Sequence, residues 1–246
     1  MSMVLREELS EGIVAITLNR PDSLNALSPA LFSELNQIVT ELSKQTDSVG
    51  CVILRGAGRC FSAGNDLKAV RSGVKAKEKF FQAKTIDLIE KLPQPTIASV
   101  HGHCLTGALE LALACDLMIT SESANLADTH GKWGMVPGWG MSVRLPRRVG
   151  LLKAKEMMFT GMSINGLQAV EIGLSSQCVA NDHLNVSTLD LAESIVKNSW
   201  HTNFADKKLF LDNENHFHDA SLKMEREQSA SVASDMHERV KQGFKS

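Results

Sequence analysis

The chain has 246 residues, 43% hydrophobic and 22% charged, which is enough apolar material to bury a sizeable core without a disulfide, a metal or a partner. Its 26 Lys and Arg against 28 Asp and Glu leave a formal net charge of −2 at pH 7, which gives no chain-wide attraction to nucleic acid or to an anionic membrane. The same composition excludes disorder and coiled coil, and no apolar stretch approaches the ~20 residues of a membrane span. The five cysteines, at 51, 60, 104, 115 and 178, form no CxxC and are odd in number, which fits a reducing compartment rather than a disulfide framework. The opening MSMVLREELSEG carries Glu7 and Glu8 where a secretory signal would be apolar, so the expected location is cytoplasmic.

In chain order, VLREEL and IVAITL, broken by Ser10-Glu11-Gly12, read as a β-hairpin, and NRPDSLNAL reads as a loop. Ser28 offers an N-cap oxygen and Pro29 a preset first-turn φ, while Leu31, Leu35, Ile38, Val39 and Leu42 recur at helical spacing. This predicts an amphipathic helix of about three to four turns. CVILR, Cys51 to Arg55, is a short apolar run of buried-strand type, followed at once by the glycine-rich GAGRCFSAGNDL. Phe80, Phe81, Leu88, Ile89 and Leu92 mark a helical stretch that stops at Pro93 and Pro95, and TIASVH is again a strand. LELALACDLMIT passes from helix into strand. Beyond Pro146 the chain changes character: Leu151 to Phe159, Gly166 to Ile172 and everything after His183 read as helical, with one short strand near Gln177 to Val179. The expected organisation is one α/β body, residues 1–182, and a helical C-terminal segment, residues 183–246.

Most common site motifs fail. Gly56-Ala57-Gly58 opens like a dinucleotide loop, but Phe61 stands where a third glycine belongs, and no GxxxxGK[ST], GxSxG or HExxH occurs. His101-Gly102-His103-Cys104 has no second cluster at ligand spacing, so no metal site is expected. His216-Phe217-His218 reads as a solvated helix turn and Lys75-Ala76-Lys77-Glu78-Lys79 as a solvated helix start. Two segments carry more. In FSAGNDL, Phe61 to Leu67, a small residue and Gly64 follow a strand and precede a helix, which allows close approach of a ligand to unpaired main-chain N–H groups. HGHCLTGALELALACD, His101 to Asp116, repeats that order with a helix beginning near Gly107. Two such N-termini converging on one point would stabilise charge developing on a carbonyl oxygen. Glu110, three residues after Gly107, leans back toward that point; by spacing alone it equally well complements the helix dipole.

The segments LNRPDSLNALS, RCFSAGNDL, PTIASVHGHCLTGALELALACDLMIT, LADTHGKWGMVPGWG, and RLPRRVGLLKAKEMMFTG leading to AVEIGL closely resemble, in this order and spacing, the crotonase family, also called the enoyl-CoA hydratase/isomerase superfamily. The resemblance covers nearly the whole chain. It implies an α/β crotonase-like spiral of ββα units with a helical C-terminal trimerisation segment, assembled as a homotrimer or a dimer of trimers. It also implies acyl-CoA thioester substrates and no cofactor, since CoA is part of the substrate. The thioester oxygen would be held by two backbone N–H groups, which map to Ala63 and Gly107. The Asp22 to Ala26 loop, ending at Ala26, and the backbone of Gly64, Asn65 and Asp66 with the adjoining Leu67 would contact the substrate, with Lys68 and Arg71 near the phosphates.

Hydratases of this family use two glutamates, the second in a loop of the form P-E-x-x-x-G-x-x-P. Glu110 matches the first. In Asp128-Thr129-His130-Gly131-Lys132-Trp133-Gly134-Met135-Val136-Pro137, Thr129 replaces the proline and His130 the second glutamate. Thr106 and Ala108 flank Gly107 where glycines are usual, and Trp139-Gly140-Met141 replaces a double glycine. Hydration requires water against Cβ, a base for one of its protons and an acid for Cα; imidazole can share that work near neutrality, with Asp128 placed to orient it. The expected activity is therefore hydration of 2-enoyl-CoA to 3-hydroxyacyl-CoA by Glu110 and His130. Isomerisation by Glu110 alone, thioester hydrolysis through His130, and a silent CoA-binding role are the alternatives.

Overall fold

The computed structural model describes residues 2–74 and 76–228, together with 237 and 241. The predicted hairpin is present: β1 (Val4–Ser10) runs antiparallel to β2 (Gly12–Leu18), with Val4 opposite Leu18. The predicted first helix, α1 (Pro29–Leu42), starts where Ser28 Oγ accepts the Leu31 N–H at 3.2 Å, and its apolar stripe of Leu31, Phe32, Leu35, Val39 and Leu42 is buried. Strands β3 (Val49–Gly56), β4 (Thr96–Val100), β6 (Leu117–Ser121) and β9 (Gln177–Val179) extend the sheet in parallel, giving the order β1-β2-β3-β4-β6-β9. The mostly apolar runs of β3, β4 and β6 follow from burial on both faces, whereas β9, at the sheet edge, is partly exposed.

A second sheet of three-residue strands, in the order β5 (His103–Leu105), β7 (Asn125–Ala127) and β8 (Ser163–Asn165), lies beside the first. The spiral follows from how the chain alternates between the two. β4 and β6 lie in the large sheet, and each is followed by a short strand, β5 or β7, in the small one. Each pair then leads to a helix, α4 (Gly107–Leu113) after β5 and α5 (Met141–Thr160) after β7. Between β3 and β4 lie α2 (Leu67–Arg71) and α3 (Phe81–Glu90), and α6 (Gly166–Glu171) follows β8. His103 is exposed and Cys104 fully buried, as strand alternation demands, so the His101 to Cys104 run does not gather on one face.

Some boundaries differ from the sequence expectation. The change of character placed after Pro146 falls inside α5, which begins at Met141 and is broken instead at Gly150, where φ is 76° and ψ 157°. The lysine run precedes α3 rather than opening it: Lys77 and Lys79 are exposed, with their ammonium groups over the Phe81 and Phe80 rings at 5.9 and 4.7 Å. Lys75 lies outside the described residues.

The main core fills the space between the sheets and α1, α3, α4 and α5. On the opposite face of the large sheet, Ile13, Ala15, Cys51, Ile53, Ile97 and Ile119 meet Leu184 and Ala192 of α7 (Leu184–Val196), so the first helix after residue 183 closes the body of its own chain. The last helix, α8 (Trp200–Gln228), is tied down by contacts of different kinds. The Trp200 indole lies against Gly12 and Gly50, where a Cβ on either would come within 2.4 Å of the ring. Lys207 Nζ, buried, binds Asp116 Oδ2 at 2.7 Å and the Gln94 carbonyl at 3.0 Å, and Arg226 pairs with Asp87. His216, Phe217 and His218 fall within this helix; their side chains lie outside the described residues.

All five cysteines are unpaired, and only Cys178 is partly accessible. Burial pushes the Cys51 and Cys115 thiols up to about 12 and Cys104 well above its ordinary value, which leaves them without the thiolate that reacts. Titration of the native protein with a disulfide reagent should therefore show one fast thiol, Cys178, and all five only after unfolding.

Candidate active site

Three chain segments leave the small sheet side by side. Ser62 pairs in parallel with Cys104, and Cys104 with Leu126, which sets these residues level with one another. Three residues further on, Asn65, Gly107 and Thr129 therefore emerge together at the C-terminal edge, where backbone N–H groups lose their ladder partners and ligands of open parallel sheets bind.

The first segment is locked from below by Asn25, fully buried, whose Nδ2 donates to the carbonyls of Ala57, Cys60 and Phe61 at 2.8–3.1 Å while its Oδ1 accepts from Arg20 N. Gly64 decides where the next amides point. Its φ of +94° is a left-handed conformation, and a Cβ there would come 2.5 Å from the Leu105 carbonyl oxygen and 3.6 Å from Gly107 N. On one side of this turn Ala63 N–H donates to the Leu24 carbonyl at 2.9 Å. On the other, the bridge to Leu27 uses Gly64 O and Asp66 N, so the Asn65 amide between them points away from Leu27. Asn65 N–H and Gly107 N–H bond no partner among the described residues. The Ala63 amide expected as a donor is therefore already engaged, whereas that of Asn65 is not. Gly64→Ala should combine a strained φ with a backbone clash, lowering the melting temperature and abolishing any binding that uses these amides; a variant with unchanged melting temperature and CoA-ester affinity would contradict it.

Asp66 Oδ1 caps α2 through Lys68 N and Ala69 N, both at 3.1 Å, and Oδ2 receives Arg20 Nη1 at 2.9 Å. Burial alone would raise its carboxyl pKa, but the Arg20 bond and the two amides hold it below the ordinary value. Ala26 and Leu67 are half-buried beside it, whereas Lys68 and Arg71 project into solvent.

The second segment turns at Thr106, a non-glycine residue at φ 55° and ψ −112°. Its hydroxyl is bonded to that of Thr129 and accepts Thr129 N–H at 3.2 Å, while its own N–H donates to Ala127 O at 2.8 Å. The two threonines that depart from the family pattern thus hold each other and join the second segment to the third. Gly107 follows, and the Trp139 ring covers it so closely that a Cβ would come within 2.5 Å; that ring in turn packs edge-on against Phe32, 5.1 Å between centroids.

Glu110, 1% exposed, does not merely complement its own helix. Its Oε1 accepts Trp139 N–H at 2.8 Å and Met141 N–H at 3.2 Å, at the N-terminus of α5. Gly140 between them is at φ +115°, with Arg144 Nη1 2.0 Å from where a Cβ would sit. That buried guanidinium is neutralised by Glu90 and Asp87 and bonds the Trp139 carbonyl at 2.7 Å. Glu110 Oε2 faces His130 Nε2 at 3.7 Å, and His130 Nδ1 lies 2.6 Å from Asp128 Oδ1. His130 is 8% exposed and Asp128 1%. A carboxylate, an imidazole and a second carboxylate therefore stand in line at the edge where Asn65 and Gly107 present their amides. Sequence reasoning placed Gly107, Glu110 and His130; it did not assign roles to Asn25, Trp139 or Arg144, whose contributions run through backbone groups and contacts remote in sequence.

The enoyl-CoA hydratase/isomerase family matches residues 8–246. An Arabidopsis thaliana protein named "Probable enoyl-CoA hydratase 1, peroxisomal" is 36% identical over 189 residues, covering 77% of this chain and 71% of its own length. Crystal structures agree: an enoyl-CoA hydratase/isomerase from Xanthobacter autotrophicus Py2 superposes with a TM-score of 0.89 at 31% identity, over 98% of this chain and 93% of that one. An enoyl-CoA hydratase from Mycobacterium tuberculosis H37Rv gives 0.82 at 34% identity, over 93% and 97%. The sequence, the two-sheet spiral and these relatives agree, and the chain belongs to the enoyl-CoA hydratase/isomerase family.

Proposed function

We propose that this chain is an enoyl-CoA hydratase that adds water across the double bond of a 2-enoyl-CoA thioester to give 3-hydroxyacyl-CoA. The observation that carries the reading is Glu110 and His130 facing each other at 3.7 Å beside two amides with no partner among the described residues. Asn65 and Gly107 N–H would hold the thioester oxygen, which becomes negative as water attacks Cβ. Such donors strengthen as charge develops, and each is worth on the order of 10²- to 10³-fold in rate. Glu110 and His130 together carry one transferable proton. The pair accepts a proton from the attacking water and delivers one to Cα as the enolate collapses, so nothing but water is consumed. CoA is the only group required beyond the protein, and it belongs to the substrate.

Gly64 and Asp66 support the first amide, and the Ala26 loop and Leu67 border the same edge, which suits them to the CoA portion. Incubation with a panel of acyl-CoA and enoyl-CoA thioesters, with mass-spectrometric detection, should show water added to a 2-enoyl ester. A shifted double bond or free CoA as the main product would replace this reading with isomerisation or hydrolysis.

The same family membership supports assembly as a homotrimer or a dimer of trimers. Leu151, Leu152 and Phe159 on α5 are 60–84% exposed, and Leu167 on α6 is 56% exposed, an apolar surface that suits a subunit contact. Light scattering should give three or six chains per particle; a monomer at micromolar concentration would contradict it. Among the described residues no helix is long and apolar enough to cross a membrane. The unpaired cysteines support a reducing compartment, of which the cytoplasm is the simplest.

A further inference from the structure

We propose that Asp128 is a positioning residue of the proton-transfer machinery: it accepts a hydrogen bond from Nδ1–H of His130 and so confines the transferable proton to Nε2, the nitrogen that faces Glu110. The inference rests on the reading that Glu110 and His130 share the proton work. Its geometry stands apart from that reading. Asp128 Oδ1 lies 2.6 Å from His130 Nδ1 and also accepts the main-chain N–H of His130 at 3.1 Å, so the carboxylate cannot swing away without giving up both bonds. Neutral imidazole can carry its proton on either nitrogen. An ionised carboxylate can only accept, so the ring nitrogen against it must be the donor, and the other nitrogen is left to exchange protons with Glu110 Oε2 3.7 Å away.

The backbone that presents these groups is held from α4. Thr129 lies between Asp128 and His130, and its N–H donates to Thr106 Oγ1 at 3.2 Å, next to Gly107 and one turn from Glu110. The three groups are therefore spaced by hydrogen bonds rather than by loop packing alone. Burying a carboxylate is costly unless it is fully bonded, and Asp128, at 1% exposure, uses both of these bonds on one histidine. During hydration a water O–H bond breaks as the water oxygen bonds Cβ, and that proton enters the Nε2–Oε2 pair. The π electrons move onto the thioester oxygen and return as the pair gives a proton to Cα. The Nδ1 proton stays on the ring, donated to Asp128 throughout, and any imidazolium that forms lies between two carboxylates, the arrangement by which an Asp supports a catalytic His in acyl-transfer triads.

Two measurements test this. Nitrogen-15 NMR of ring-labelled histidine in the wild-type protein, with the His130 signals identified by their loss in His130→Gln, should show the proton on Nδ1 in the neutral ring and titration at Nε2. An Nε2–H tautomer overturns the proposal, whatever reaction the enzyme catalyses. Kinetically, Asp128→Asn should lower kcat for 2-butenoyl-CoA hydration by about 10²-fold or more, with KM changed less than about threefold. In a His130→Gln background the same change should add less than about twofold, because no imidazole remains to orient. An equal loss in both backgrounds would mean that Asp128 merely supports the fold, which overturns the proposal. Absence of hydration by the wild type would instead refute the functional reading and leave the NMR result to decide the role of Asp128.

Discussion

Glu110→Gln is expected to lower turnover by roughly 10²-fold or more while leaving KM within a few-fold. The substitution keeps the side-chain length, and the amide oxygen can still accept from Trp139 N and Met141 N, which now bind Glu110 Oε1 at 2.8 and 3.2 Å. The fold therefore has little reason to change, and the loss falls on proton transfer, because an amide does not take up a proton near neutrality. Steady-state hydration of 2-butenoyl-CoA with a parallel melting curve checks it. A stable Gln variant with wild-type turnover would remove Glu110 from the chemistry.

The second large effect is at His130. His130→Ala should suppress hydration by about 10²- to 10⁴-fold, whereas an isomerase working through Glu110 alone would keep much of its rate. His130→Glu restores the family's second carboxylate, but the structure limits what that achieves. Asp128 Oδ1 lies 2.6 Å from the imidazole it now binds, and a glutamate there would meet a buried carboxylate at close range, a pairing that disfavours ionisation of both. The expected order of hydration rates is wild type, then His130→Glu with Asp128→Asn, then His130→Glu alone. A single His130→Glu variant faster than the double variant would contradict the proximity of these groups.

Much of the fold was legible because its long elements obey simple periods. The stripe Leu31, Leu35, Val39 and Leu42 behind the Ser28 cap, and the run Cys51 to Arg55, are decided by burial of one face or of both. The strands β5, β7 and β8 were not read from the sequence: three residues show no period, and of the strands this short only β9, Gln177–Val179, was read. At the site, the resemblance to the family, aligned on glycine and proline, put His130 where its hydratases carry the second glutamate, and helical spacing put Glu110 close to Gly107. Spacing could not say which way an amide points. The choice between Ala63 and Asn65 turns on the main chain: Ala63 N–H is engaged by the Leu24 carbonyl, and the chain turns at Gly64, with its positive φ, before it reaches Asn65. Nor could it show that Glu110 reaches the N-terminus of α5 rather than serving its own, since Trp139 is 29 residues away in sequence. The Thr106–Thr129 pair was visible only as two separate departures from a pattern; the structure makes them one hydrogen-bonded feature.

The most direct measurement is a reaction with 2-butenoyl-CoA in water enriched in oxygen-18, followed by mass spectrometry of the intact thioester. Hydration by Glu110 and His130 predicts 3-hydroxybutanoyl-CoA carrying one heavy oxygen on Cβ and none in the thioester carbonyl, with the signal lost in Glu110→Gln. A product of unchanged mass with a moved double bond, or free CoA with heavy oxygen in the released acid, would contradict it.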